Sequence, residues 1–207
     1  MAHIQQQEFV VLLRGKFPKY FKGTTVLEWG SLDTNGNVSF LFSNSKYLGV
    51  DVQEGENVDL VSAMNNININ EDTLKWIRGD TKLIEGQPTK NTTFDILDLK
   101  SKFDVVYSCE MLQHDFFYKD SLKKMYTILK PGGLLFFTCG GYNRQREYVP
   151  LEWQNNEKFT KKNYCENITT HQFTKMFDLE LLFCDFSIEY NGSGTTGGDL
   201  YFWGIKR

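Results

Sequence analysis

The chain has 207 residues, enough for one domain with a sizeable core, and its 41% hydrophobic and 24% charged residues are an ordinary globular balance. A formal net charge of −3 argues against a dedicated nucleic-acid binder, which needs a basic footprint. No run of 18 apolar residues is present, so no membrane span is expected, and the N-terminus lacks the basic leader of a signal peptide.

Residues Ile4 to Leu13 read as a short amphipathic helix that ends near Gly15 and Pro18. The run "TTVLEW" is β-branched and apolar, a first strand that ends in an acid, Glu28, with Gly30 two residues on. After a polar turn, "NVSFLF" opens a short helix and "KYLGVD" is a second strand, again ending in an acid, Asp51. Such continuous apolar runs fit strands buried on both faces. Between Gln53 and Lys100 either "NVDLVSAM" or "TTFDILDL" supplies the third strand, with "EDTLKWI" as a helical turn or two between them. "KFDVVYSCE" is a fourth strand. "SLKKMYTILKPGG" is an amphipathic helix stopped by Pro131 and its glycines, and "GLLFFTCGG" is a fifth strand. The polar, aromatic stretch from Tyr142 to Phe159 is irregular. "TTHQFTKMF" is a helix capped by Thr169 or Thr170, and "LELLFCDFSIEY" and "DLYFWGIKR" form a closing hairpin across "NGSGTTGG".

Strands alternating with helices, then a hairpin, predict an α/β domain with a mostly parallel sheet and one antiparallel strand. Ligands bind such sheets beyond the carboxyl ends of the strands. Those positions are Glu28 to Gly36, Asp51, the end of the third strand, Ser108 to Glu110, and Cys139 to Tyr142. A carboxylate after the second strand suits the paired hydroxyls of a ribose and repels a free phosphate. The turn "GSLDTNG" has Leu32 where the dinucleotide fingerprint needs its second glycine, which counts against a pyrophosphate. Four cysteines at 109, 139, 165 and 184 show no metal-ligand spacing, and none of the sequence points to a metal. Cysteines in apolar segments fit a reducing, cytoplasmic setting.

The segments "VLEWGSLDTNG", "YLGVDVQEGENVDLV", "FDVVYSCEMLQHD" and "LKKMYTILKPGGLLFFT", in that order, resemble class I S-adenosylmethionine-dependent methyltransferases, with further likeness at "NYCENIT" and "GDLYF". The resemblance spans most of the chain apart from about residues 65–100 and 144–160. It implies a single domain over 1–207 with a Rossmann-like, doubly wound, mostly parallel seven-stranded sheet and an antiparallel C-terminal hairpin strand. Residues 1–22 would be an N-terminal helix, and 65–100 an insertion or lid. It implies S-adenosylmethionine as cofactor and a small-molecule acceptor methylated on oxygen or nitrogen. Glu28, Trp29, Gly30, Ser31 and Asn35 would flank the methionine end, and Asp51 and Val52 the ribose and adenine. Ala63 and Met64, or alternatively Asp95 and Ile96, would flank the adenine from the third strand, and Ser108, Cys109 and Glu110 would line the site beside the sulfonium.

Two features depart from the family pattern: Trp29 stands for a smaller aliphatic residue, and Gln113 for an acid. If the Trp29 indole filled the cofactor cleft, the chain would be a non-catalytic binding module. His114 in "EMLQHD" is the candidate general base, oriented by Asp115, with a plain packing or capping role as its structural alternative. Tyr142, Arg144, Tyr148 and Tyr164 are candidates for the acceptor pocket, where arginines would suit a carboxylate or phosphate.

Overall fold

The computed structural model describes residues 4–34, 36–64, 67, 100–146, 164–193 and 197–207. Helix α1 (Ile4–Lys16) sets Val10 and Leu13 inward, and Pro18 opens a 3-10 turn, Pro18–Phe21, that adds Tyr20 and Phe21 to the same core. Strands β1 (Thr25–Trp29), β2 (Lys46–Asp51), β3 (Leu60–Val61) and β4 (Phe103–Cys109) follow. Helix α2 (Tyr118–Ile128) leads into β5 (Leu129–Gly140), and helices α3 (Thr170–Met176) and α4 (Leu179–Leu182) precede β6 (Phe183–Ser193) and β7 (Gly197–Lys206).

The strands form one sheet in the order β3-β2-β1-β4-β5-β7-β6. Neighbours from β3 to β5 run parallel, and β7 enters antiparallel between β5 and β6. This is the expected Rossmann-like, doubly wound sheet, with all the carboxyl ends of β1, β2, β4 and β5 on one rim. The third strand comes from "NVDLVSAM"; "TTFDILDL" and "EDTLKWI" lie outside the described residues, as does most of 65–100.

Alternating side chains of β1 divide between two cores. Leu27 and Trp29 join the larger one under α2 and α3, and Val26 joins the smaller one under α1. In the smaller core the rings of Phe42, Tyr107 and Phe136 stack in a column, with centroids 5.6 and 4.7 Å apart. Each fully buried side chain of this size contributes roughly 1.5–3 kcal/mol.

Two boundaries differ from the sequence reading. Helix α2 ends at Ile128, before Pro131, and Pro131 to Gly133 already belong to β5. Proline is tolerated there because pairing with β7 begins only at Leu134. Gly132 takes φ 73 in that stretch, and its carbonyl accepts the Tyr20 hydroxyl at 2.6 Å. The run "LELLFCDFSIEY" opens with α4, because the Asp178 side chain caps Leu181 N–H and turns the first four residues into a helix. Thr169 is the cap of α3, with a reciprocal bond from Gln172.

Candidate active site

The turn after β1 is built on main-chain contacts with β2. Gly30 N–H and Ser31 N–H both donate to the Val50 carbonyl, at 2.8 and 3.2 Å. Gly30 has φ 82, and a Cβ there would lie 2.4 Å from the Cβ and Cγ of Met111. Only glycine lets the β4 exit approach this closely. At the end of β2, Asp51 accepts Leu32 N–H through Oδ2 at 3.1 Å and Gln53 N–H through Oδ1 at 3.0 Å. Each oxygen therefore keeps lone-pair capacity for a further donor. Burial raises the Asp51 pKa, and the backbone donors oppose the rise.

Glu28 faces the smaller core, not the open rim. Its Oε2 accepts the Tyr47 hydroxyl and the Asn57 amide, the latter at 3.1 Å, and Tyr47 lies 2.6 Å from the Tyr107 hydroxyl. Asn57 also donates to the Ser31 carbonyl at 3.0 Å. Glu28 thus reaches the turn through Asn57. Burial pushes its pKa to about 7, against hydrogen bonds from Tyr47, Tyr107 and Asn57 that favour the anion.

Trp29 is 1% exposed and lies in the larger core, where its Nε1–H donates to Asp115 Oδ2 at 3.3 Å. Asp115 also accepts the Ser121 hydroxyl at 2.5 Å and Phe117 N–H at 2.8 Å. Its carboxylate is therefore a buried anchor for β1 and α2. Ala63 and Met64 are buried in the same core, with Val52 packed against it. Ser108 is fully buried, and its Oγ and the Ser31 Oγ are buried with no hydrogen-bond partner among the described residues. Cys109 is buried, and desolvation raises its thiol pKa far above the usual range.

On the other half of the rim, Arg144 Nη1 pairs with Glu110 Oε2 and lies 2.5 Å from Asp199 Oδ1. Asp199 in turn accepts the Gln6 amide of α1 at 2.8 Å. Tyr142, Asn143, Arg144, Arg146, Glu166, Asn167, Thr169 and Gln172 line a cleft of about 420 Å³ beside this group. His114 ends a 3-10 turn, Leu112–His114, on a narrow slit shared with Arg144 and Asn167. Tyr164 donates to Glu166 at 2.7 Å and packs edge-on to Phe116. The Asn167-Ile168-Thr169 tripeptide, a glycosylation acceptor by sequence, is structural: Asn167 donates to the Arg144 carbonyl at 2.6 Å and Ile168 is fully buried. Asn35, Tyr148 and Trp153 lie outside the described residues.

Sequence reading missed Tyr47, Asn57, Tyr107, Gln6 and Asp199. The first three appear there as ordinary strand and loop residues. Gln6 and Asp199 meet across 193 positions of chain. Among the described residues no group of three or more His, Cys, Asp or Glu could hold a metal ion, and no helix is long and apolar enough to cross a membrane.

Residues 36–137 match the family model described as "Methyltransferase domain", a span that contains β2, β4 and most of β5. That match and the strand order support a class I S-adenosylmethionine-dependent methyltransferase. No curated protein matches this chain. Solved structures do. A Haemonchus contortus phosphoethanolamine N-methyltransferase 2 is 15% identical with a TM-score of 0.52, covering 98% of this chain and 53% of its own. The chain thus spans about half the length of that enzyme. A Burkholderia thailandensis 1,6-didemethyltoxoflavin-N1-methyltransferase is 12% identical with a TM-score of 0.53, covering 100% and 91%. An S-adenosylmethionine-dependent methyltransferase from Listeria monocytogenes, described as putative, is 14% identical with a TM-score of 0.53, covering 96% and 99%. At these identities the likeness is one of fold.

Proposed function

We propose that this methyltransferase moves a methyl group to an oxygen or nitrogen of a small-molecule or sugar-like acceptor. The observation that carries the reading is the polar cleft of about 420 Å³ past the end of β5, within the size range of small-molecule pockets and next to the β1–β2–β4 rim. Structural neighbours support the size of acceptor: the Haemonchus enzyme is described with phosphomonomethylethanolamine, the Burkholderia enzyme with 1,6-didemethyltoxoflavin, and the N-terminal domain of EvdMO1 in the presence of D-fucose.

The rim fits S-adenosylmethionine. Asp51 has acceptor capacity for two ribose hydroxyls, Ser31 and Ser108 present buried hydroxyls with no partner among the described residues, and Gly30 keeps a side chain out of the cradle. When bound, the cofactor supplies a methyl group activated on a sulfonium. Asp51 and Val52 would hold the nucleoside, Gly30 and Ser31 the methionine end, and Ala63, Met64, Ser108 and Cys109 the walls around them. Trp29 and Glu28 act beneath that surface, one by bonding Asp115 and one through Asn57. The rest of the work is alignment of the acceptor, and proximity and orientation supply roughly 7–11 kcal/mol of such barriers. His114, on the slit beside Arg144, would take the proton of an acceptor that must lose one.

The buried Trp29 indole, bonded to Asp115 in the larger core, supports the catalytic reading over a non-catalytic binding module. Four free thiols, three of them buried, accord with a cytoplasmic place of action. Calorimetry with S-adenosylhomocysteine tests the reading at its base, and no affinity at millimolar ligand would reject it. With an acceptor in hand, His114→Gln should lower kcat by roughly 10²–10⁴-fold and leave S-adenosylhomocysteine affinity unchanged. Unchanged turnover would return His114 to a packing role.

A further inference from the structure

The charge balance beside the acceptor cleft runs opposite to what its arginine suggests. Arg144 places one guanidinium against two carboxylates, those of Glu110 and Asp199. Glu110 is 3% exposed, and its Oε1 is buried with no hydrogen-bond donor among the described residues. The same holds for Oε1 of Gln113, which is 5% exposed. Gln113 Nε2 donates to the Glu110 carbonyl at 2.9 Å and lies 3.4 Å from Glu110 Oε2. Turning the amide over would set its oxygen against both of those oxygens, so the assignment of nitrogen and oxygen is forced. Two side chains whose heads lie 3.4 Å apart thus bury two acceptor oxygens that lack a donor among the described residues. Buried polar atoms in native proteins find partners, and here the missing partner is a donor.

Glu110 stands where the two halves of the rim meet: it follows Cys109 at the end of β4, its neighbour Met111 packs on Gly30, and its side chain turns to Arg144. Glu110 follows β4, Arg144 follows β5 and Asp199 lies on β7, so the group is centred on β5. Gly30 and Asp51 belong to β1 and β2, on the other side of β4. Arg146 also lines the acceptor cleft, but it is exposed, and a solvated guanidinium is screened by water and salt.

We infer that Glu110 and Gln113 form a hydrogen-bond-accepting subsite for the methyl acceptor, and that the acceptor is a neutral or cationic molecule that brings a hydroxyl or amino group there. This rests on the methyltransferase reading of the rim. An anionic acceptor would meet a group already carrying two negative charges and one positive.

The test uses the full chain saturated with S-adenosylhomocysteine and two matched probe pairs, tyramine against 4-hydroxyphenylacetate and glucosamine against glucose 6-phosphate. Calorimetry should give tyramine or glucosamine roughly tenfold or more tighter binding than its anionic counterpart. Glu110→Gln and, independently, Gln113→Met should each weaken that probe by roughly 10- to 100-fold and leave S-adenosylhomocysteine affinity within about twofold of wild type. Gln113→Met keeps the side-chain volume and leaves the Glu110–Arg144 pair in place, so it reports even if Glu110→Gln does not fold. A preference for either anion, or no probe bound at millimolar concentration, overturns the inference. So does a loss of S-adenosylhomocysteine affinity in Gln113→Met, which would hand the two oxygens to the cofactor's ammonium. Failure of wild type to bind S-adenosylhomocysteine at all is a separate result and removes the underlying reading as well.

Discussion

Replacing Glu28 by Gln should change how stability depends on pH. The carboxyl is 3% exposed, and burial raises its pKa from 4.5 to about 7. A raised value in the folded state means that folding favours the protonated acid. Its contribution is fully present below pH 4.5 and is lost as pH rises through 7. Once both values are passed, the loss amounts to roughly 3 kcal/mol, of which about 2.5 kcal/mol falls between pH 5 and pH 8. Gln carries the same shape with no charge, and its amide oxygen can still accept from Tyr47 and Asn57. Asp51, Asp59, Glu110 and Asp115 also have raised values from burial, so the wild-type curve alone mixes five acids. The informative quantity is the difference between Glu28→Gln and wild type, measured by urea denaturation at both pH values. That difference should move in favour of the variant by about 2–3 kcal/mol from pH 5 to pH 8. Parallel curves would mean that Glu28 is ionised at neutral pH and that the Tyr47–Tyr107–Asn57 cluster solvates it fully.

Asp51→Ala removes the acceptor for Leu32 and Gln53 N–H along with the proposed ribose contact, and should weaken S-adenosylhomocysteine by about 1.5–3 kcal/mol in calorimetry. An unchanged Kd would refute the ribose assignment. Gly30→Ala forces an L-residue to φ 82 and pushes a Cβ onto Met111, so denaturation should show a loss of at least about 1–2 kcal/mol from the backbone alone; a loss under half of that would mean the turn relaxes freely. Trp29→Phe keeps an aromatic ring in the core and removes the Nε1–H from Asp115. A loss of about 1 kcal/mol at pH 7 is expected, and it should shrink at low pH as Asp115 becomes protonated and needs fewer donors. A loss that does not vary with pH would assign the effect to packing.

Most of the sheet could be read from the chain because its signals are local. β1, β2, β4 and β5 are apolar runs between turn residues, and parallel strands buried on both faces leave that mark whatever surrounds them. Where a local signal competed with another, the stronger one won in the fold. Pro131 marked the end of a helix by sequence, but α2 had already closed at Ile128, and the proline sits in β5 ahead of its pairing with β7. The four residues after Asp178 have strand-like composition, and one capping bond to Leu181 N–H makes them a helix.

The two halves of the site differ in legibility for the same reason. The proposed cofactor half is made of residues at consecutive strand ends, so Gly30, Ser31, Asp51 and Ser108 can be located from the strands alone. Which face a strand-end residue takes is harder: Glu28 and Trp29 are adjacent, and the two-residue period sends them into opposite cores. The acceptor half is assembled by distance. An arginine in the loop after the fifth strand, taken alone, suits an anionic ligand. Its meaning reverses once β7 enters beside β5 and brings Asp199 against the guanidinium that already holds Glu110. The specificity of such a site depends on the sum of charges that converge there, and that sum is a property of strand order. An arginine that looks like a ligand-binding cation is thereby converted into the counterion of a buried Glu110 and a partly buried Asp199 beside the proposed acceptor cleft.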